Sequence, residues 1–471
     1  MARRRDERRP GSGGGPVVVR EDAQPTGPRS SVGSRSGARA RGRTDDRVLE
    51  AFAHVESGVP ADRAVRSVFA RAKDLGSKER ALVSDTVFGM VRHRRQLDDR
   101  LERAAKADRK RLALLEAPLR NRLRLLSYLA MAEGADAKTL LARDPQAFDR
   151  IAGLFERLAA GRLARPNRSP EEELAVTTSL PDWLARRLIG GLGLERATDI
   201  ARALLERAPV TLRVNRLRMD RSTAQAEIKA AHGIDSLPTT MSPDGLILPK
   251  AVDLAAWPLY EAGAIELMDE GSQLIALATE VRPGEHVLDA CAGAGGKALA
   301  LGAMMKNEGR IVALDPERQH LDKTSKRAER AGLTCLTTQC GDLMALGETL
   351  IGKFDCVLVD APCTGTGTLR RSPDIKWRLN DEDVSTFASL QVRLLAAAAR
   401  AVKPGGRLVY ATCSVLREEN ESVVEALLAT DNSIGVRPTP TTQDLHFSRI
   451  GPGPSERDPD GFFVSILHKA G

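Results

Sequence analysis

From about residue 261 onward, short apolar runs alternate with loops and helical stretches. This alternation restricts the fold more than any other feature of the 471-residue chain. Residues 286–289 (HVLD) lead into glycines and then an Ala/Leu-rich helical stretch. Residues 310–314 (RIVAL) end at Asp315, and a helical pattern follows over 317–331. Residues 333–339 read as a third strand that stops before Gly341 and Asp342. Residues 355–359 form the fourth, and 407–411 the fifth, after the turn at Lys403, Pro404, Gly405 and Gly406. Strands and helices in this order pack as a doubly wound parallel sheet, a Rossmann-like α/β domain over 261–471. Ligands of such a sheet sit at the carboxyl ends of its strands.

Two cysteines fall at those ends. Asp360, Ala361, Pro362 and Cys363 follow the fourth run; Ala411, Thr412, Cys413 and Ser414 follow the fifth. Two thiols and a carboxylate that meet over one substrate form a set for covalent attack on a ring and its later release. The other four cysteines, Cys291, Cys335, Cys340 and Cys356, lie in or beside predicted strands. A free thiol there is a common small core residue, although the backbone of Cys291 belongs to a glycine-rich turn. No pair has Cys-x-x-Cys spacing, so no metal site is expected. The basic N-terminus has no apolar stretch behind it, so it is no secretory signal; reduced thiols and a cytoplasmic location are expected. No run of about 18 apolar residues suggests a membrane span.

The glycine-rich turn is residues 289–297 (DACAGAGGK). Glycine lets backbone approach a ligand closely. Cys291, Ala292, Gly293, Ala294, Gly295, Gly296 and Lys297 are therefore candidate cofactor contacts. Asp315 is placed to accept ribose hydroxyls, and Asp342 to accept from an adenine amine. Such a turn alone fits NAD as well. Its glycines, at 293, 295 and 296, do not follow Gly-x-Gly-x-x-Gly, which favours S-adenosylmethionine over a dinucleotide.

The net charge of +8 is unevenly placed: +7 over residues 1–44, +7 over 45–165 and −6 over the rest. A polyanion grip is expected in the N-terminal third. Residues 1–44 are rich in Arg, Gly, Ser and Pro and are expected to be disordered, as a solubilising arm or a nucleic-acid contact. Residues 45–165 carry apolar positions at helical spacing and predict a small all-α domain, with Ser77 capping a helix after Gly76. Its clusters Arg109-Lys110-Arg111 and Arg120, Arg122, Arg124 point to a polyanion. Residues 166–260 mix helices (183–193, 196–207, 223–231) with strands (209–215, 246–248). They predict a small α+β module, either for RNA positioning or as a structural adaptor.

At residues 269–273 (DEGSQ), 289–297, 315, 341–342, 360–367 (DAPCTGTG), 370–377 (RRSPDIKW) and 411–420 (ATCSVLREEN), the chain resembles the RNA cytosine carbon-5 methyltransferases of the Sun/Fmu type. The paired Pro-Cys and Thr-Cys motifs carry most of the likeness. Residues 45–165 resemble the NusB-like helical domain of bacterial ribosomal members. The chain departs from the family at Gly293-Ala294, where Ala-Pro is usual, and at His320, where many members have Arg.

The resemblance implies S-adenosylmethionine as cofactor and Cys413 as the nucleophile that adds to carbon 6 of cytosine. It implies that Asp360 contacts ring nitrogen 3 and that Cys363 helps remove the carbon-5 proton. A free thiol ionises only near pH 8.5, so Cys413 needs a neighbour that favours thiolate. Lys297 is the candidate, a surface salt bridge being its alternative role. Arg370, Arg371, Lys376 and Trp377, just past the Cys363 loop, are the expected RNA contacts. A base inside a duplex is out of reach of a thiol, so the target must be single-stranded, looped or flipped. The partner is expected to be rRNA, with tRNA as the near alternative, and the protein a monomer. Two other classes compete: a non-catalytic RNA-binding assembly factor, which an intact Asp360, Cys363 and Cys413 argue against, and a small-molecule or protein methyltransferase, which the basic helical domain argues against.

Overall fold

The structure is a computed structural model that describes residues 35–105, 114–143, 153–161, 163, 166–436, 448–453, 455 and 457–471. Residues 1–34 of the basic tail and the cluster Arg109-Lys110-Arg111 lie outside the described residues.

The N-terminal part is helical, as its apolar periodicity requires. Its first helix spans Arg35–Glu56 and begins ten residues before the boundary expected at 45, so residues 35–44 belong to a helix and not to the disordered tail. The next helices are Ala61–Arg71, Ser77–Arg92, Arg94–Ala105 and Ala117–Ala132. Val48, Phe52, Val68, Val87, Leu97 and Leu126 close one core between them. Gly76, not Ser77, occupies the cap position of the third helix, and its N–H donates to Glu79 Oε2 at 3.0 Å. Arg124 is no polyanion contact either. It is buried and bonds Asp98 Oδ1 and Glu56 Oε1, each at 2.6 Å.

Three helices, Pro170–Thr177, Asp182–Leu192 and Leu194–Ala203, pack with Leu369, Val384, Val415 and Leu416 of the C-terminal part. A four-stranded antiparallel sheet follows: β1 (Val210–Val214), β2 (Leu237–Pro238), β3 (Gly245–Leu248) and β4 (Ile265–Leu267), in the order β2-β3-β1-β4. Strand β4 lies past residue 260, so this sheet reaches across the boundary expected there.

The C-terminal sheet contains β5 (His286–Asp289), β6 (Arg310–Asp315), β7 (Leu336–Cys340), β8 (Phe354–Asp360), β9 (Val402–Thr412), β10 (Ile434–Val436), β11 (Ser448–Ile450) and β12 (Phe462–Lys469). Its order is β10-β12-β9-β8-β5-β6-β7, with β11 on β12. Strands β5 to β9 are the five predicted ones and pair in parallel. The sheet is nevertheless mixed, because β12 inserts antiparallel between β9 and β10. Helices Gly296–Met304, Arg318–Ala331 and Asp381–Ala401 cover its faces. Among the described residues no helix is long and apolar enough to cross a membrane, and no group of His, Cys, Asp and Glu could hold a metal.

Candidate active site

The carboxyl ends of β5, β8 and β9 open on a cavity of about 450 Å³. Its walls include Cys291, Ala292, Gly293, Ala294, Gly296, Lys297, Asp360 and Cys413 from the predicted set. The glycine turn is held in two places. Gly295 sits at φ +80, and a Cβ there would lie 2.5 Å from Thr324 Cγ2, so only glycine fits. The Gly293 N–H donates to Asp315 Oδ2 at 2.8 Å. Asp315 Oδ1 in turn accepts from Glu317 N at 2.8 Å and faces His320 Nδ1 at 3.1 Å. Asp315 thus braces the turn with both oxygens. Asp342 caps the helix Leu343–Leu350 by accepting from Met344 N at 2.8 Å.

Lys297 is no surface salt bridge. Its side chain is 13% exposed, and Nζ donates to Asp360 Oδ2 at 2.5 Å. Burial disfavours its charge, but Asp360, Asp289 and Cys413 together hold its pKa above the usual lysine value. Asp289, at the end of β5, is 1% exposed, and neither carboxylate oxygen accepts a well-formed hydrogen bond, the Cys291 backbone N–H being its nearest donor. Burial, then the charge of Asp360, push its pKa up to about 7 against the pull of Lys297. A cavity wall with a weakly bonded buried carboxylate suits a positively charged ligand, and the glycine turn beside it admits a ligand close to backbone.

That carboxylate gives a measurable pH dependence. Its folded pKa lies above its unfolded value of about 3.9, so its stabilising contribution is complete below about pH 4 and lost as pH rises through about 7. Asp289→Asn should remove this part of the slope in urea-unfolding free energy between those limits. A variant with the wild-type slope would show that Asp289 does not titrate there.

The two thiols meet. Cys413 follows β9, Cys363 lies three residues past the end of β8, and their Sγ atoms are 3.3 Å apart. Parallel pairing of Asp360 with Ala411 brings the two loops side by side. The hydrogen bond to Cys413 raises the Cys363 pKa well above the usual thiol range, and burial and the charges of Cys413 and Glu419 add to it. Gly367 locks the loops, donating to the Cys413 carbonyl at 2.9 Å. A Cβ on Gly367 would fall 1.9 Å from the Gly461 carbonyl oxygen.

The residues expected to touch RNA are placed otherwise. Arg370 is 1% exposed, and its guanidinium donates to the carbonyls of Asp458 at 2.9 Å and Arg207 at 3.0 Å. Lys376 is buried and donates to the Arg92 carbonyl at 2.9 Å; burial, then Arg92, lower its pKa to about 7. The Trp377 indole N–H donates to the Val91 carbonyl at 2.8 Å. Lys376 and Trp377 join the C-terminal part to the helical domain and Arg370 joins it to Arg207, so their polar groups are taken up inside the protein. Arg371 alone lines the cavity, where it bonds Asp269 Oδ2 and Asp460 Oδ2, each at 2.9 Å. Asp269 is pushed up to about 6 by burial and by Asp460, against Arg371.

Sequence reading gave no role to Asp289, Asp460 and Phe462, which line the cavity, nor to Glu419, buried behind the thiols. The position of Asp289 at a strand's end was the available signal. For Glu419 it was membership of the 411–420 motif.

Comparison with known proteins follows the same lines. The sequence profile described as 16S rRNA methyltransferase RsmB/F matches residues 276–468, and that of the RsmF/B-like ferredoxin-like domain matches 180–255. The chain is 30% identical over 446 residues to the probable ribosomal RNA small subunit methyltransferase B of Bacillus subtilis, covering 90% of this chain and 98% of that one. It is 32% identical to ribosomal RNA small subunit methyltransferase B of Escherichia coli strain 536, over 84% of this chain and 92% of the other. A crystal structure of a methyltransferase homolog protein from Pyrococcus horikoshii superposes with TM-score 0.56 at 27% identity, covering 64% of this chain and all of that one. With nearly the full length of these relatives matched and the paired cysteine loops in place, the chain belongs to the 16S rRNA methyltransferase RsmB/F family.

Proposed function

We propose that the protein methylates carbon 5 of a cytosine in small-subunit rRNA through a covalent adduct on Cys413. The observation that carries this reading is the pair of sulfurs 3.3 Å apart at neighbouring strand ends, with the Lys297–Asp360 pair on the same cavity wall as Cys413. S-adenosylmethionine, when bound, would supply the methyl group that carbon 5 takes. The glycine turn at 291–296 and the weakly bonded Asp289 carboxylate would hold it, as fits its positive charge.

The chain's own residues carry the remaining chemistry. The Cys413 thiolate forms a bond to carbon 6, and the ring electrons shift toward nitrogen 3, which takes a proton passed from the Lys297 ammonium through Asp360 and returns it as carbon 5 is methylated. Carbon 5 thereby becomes electron-rich. Once Cys413 is a thioether, it no longer bears the charge or accepts the hydrogen bond that kept Cys363 protonated. Cys363 then gives up its own proton to solvent and serves as the base. It takes the carbon-5 proton, the C–H electrons restore the 5,6 double bond, and Cys413 leaves with the electron pair of its carbon–sulfur bond.

The helical N-terminal domain, read as NusB-like, would bring the RNA, and the cytoplasm is where such a substrate is made. Asp315 and Asp342 would act near the cofactor's ribose and adenine, Asp315 doing so while it braces the turn. The test is transfer of labelled methyl from S-adenosylmethionine to unmodified 16S rRNA and to tRNA, read by bisulfite sequencing. One protected cytosine in 16S rRNA supports the reading. Label on tRNA alone moves the substrate, and label that does not depend on RNA overturns it.

A further inference from the structure

Glu419 is fully buried, and among the described residues no cation pairs with its carboxylate. A charge in such a place is retained only by strong hydrogen bonds. Those it accepts come from both cysteine loops. Oε1 accepts from Thr364 N at 2.8 Å, and Oε2 from Thr364 Oγ1 at 2.5 Å. Oε2 also accepts from Ser414 Oγ. Thr364 directly follows Cys363, and Ser414 directly follows Cys413. Gln391, also fully buried, donates to Oε1 at 3.1 Å and to the Pro362 carbonyl at 2.8 Å, so the residue before Cys363 is held as well.

We propose that Glu419 is a positioning residue for the two-thiol chemistry, its carboxylate tying the Cys363 loop to the Cys413 loop and setting the gap between the two sulfurs. The proposal rests on the methyl-transfer reading only for its kinetic consequence; the geometric consequence stands apart from it. Thr412 and Asn420 complete the frame: Thr412 Oγ1 donates to Asn420 Oδ1 at 2.5 Å, and Asn420 Nδ2 to the Ser414 carbonyl at 2.9 Å. A buried acid of purely structural value would change stability and leave the relation between the thiols alone. A clamp would act through Cys363.

The variant is Glu419→Gln, of equal size and without charge. Phenylarsine oxide, a trivalent arsenical that binds two close thiols together, is the geometric probe. Capture by the full-length protein should depend on both Cys363 and Cys413 and should weaken in Glu419→Gln by about tenfold to a hundredfold, the range of one lost hydrogen bond to a charged group. With RNA and S-adenosylmethionine, the variant should release product more slowly by a similar factor, gather an RNA-linked species and keep the KM for RNA. Added to Cys363→Ala, it should slow release no further, since the two changes act on one step. If Glu419→Gln does not fold, Thr364→Val, which deletes one of the bonds to Oε2, carries the same readings at smaller size, and Thr364→Ser should restore them. Unchanged arsenical capture in a folded variant overturns the clamp, as does a slowing of release that simply adds to that of Cys363→Ala. A wild-type protein that captures the arsenical but methylates no RNA would overturn the proposed function and leave the clamp standing.

Discussion

Replacing Cys413 by alanine is expected to reduce RNA methylation by roughly a thousandfold or more, because the step that activates carbon 5 loses its nucleophile. The fold should survive, since Cys413 is a half-buried residue on a cavity wall. Cofactor affinity should change little. Cys363→Ala has the opposite signature. Cys413 still attacks and carbon 5 is still methylated, but elimination stalls, so protein accumulates as an RNA-linked species. The species appears as a slow gel band that nuclease collapses. The double variant should show no band. A purely packing role for Cys363 predicts a less stable enzyme without an adduct. An adduct in Cys413→Ala but not in Cys363→Ala would exchange the two roles.

Lys297→Met should give the largest loss of stability of any single change in the cavity wall. The ammonium bonds one carboxylate, Asp360, at 2.5 Å and feels the charge of a second, Asp289, without bonding it. Removing one member of a buried ion pair costs about 3–5 kcal/mol, and Asp360, whose side chain is 29% exposed, recovers part of this from water. The folded pKa of Lys297 lies above its unfolded value of about 10.4, so its contribution is complete below that pH and lost only as pH rises through the folded value. The deficit in urea unfolding should therefore be present throughout the neutral range. Adding Asp360→Asn should restore much of the stability and none of the activity. A Lys297→Met protein as stable as wild type would show that the pair is solvated.

The parallel strands could be read from the sequence because each is a short apolar run followed by a turn and a helix. Strand β12 could not be read this way. Its residues are as apolar as those of β8, but its antiparallel place beside β9 is set by pairing across the sheet and not by the strand-turn-helix pattern. The thiols were legible because position at a strand end fixes where a side chain emerges. Lys376 and Trp377 were misread because nearness along the chain to Cys363 says nothing of the direction a side chain takes. Their partners, the carbonyls of Arg92 and Val91, are 284 and 286 residues away in sequence. Asp289 shows the same limit in another form, since a carboxylate's weak bonding is a property of packing and leaves no mark on composition.

The seam between the helical domain and the C-terminal part has a consequence for divergence among relatives. Its bonds join side chains to main-chain oxygens: Lys376 and Trp377 reach the carbonyls of Arg92 and Val91, and Arg92 reaches the carbonyl of Arg370 at 2.8 Å. A carbonyl is supplied by every residue type. Positions on the accepting side of this joint can therefore drift in sequence while the docking geometry persists, provided the helix that presents the oxygens keeps its course. The fused domain can be retuned at Val91 without a compensating change beside the cysteines, whereas Arg92, whose own side chain donates, is held.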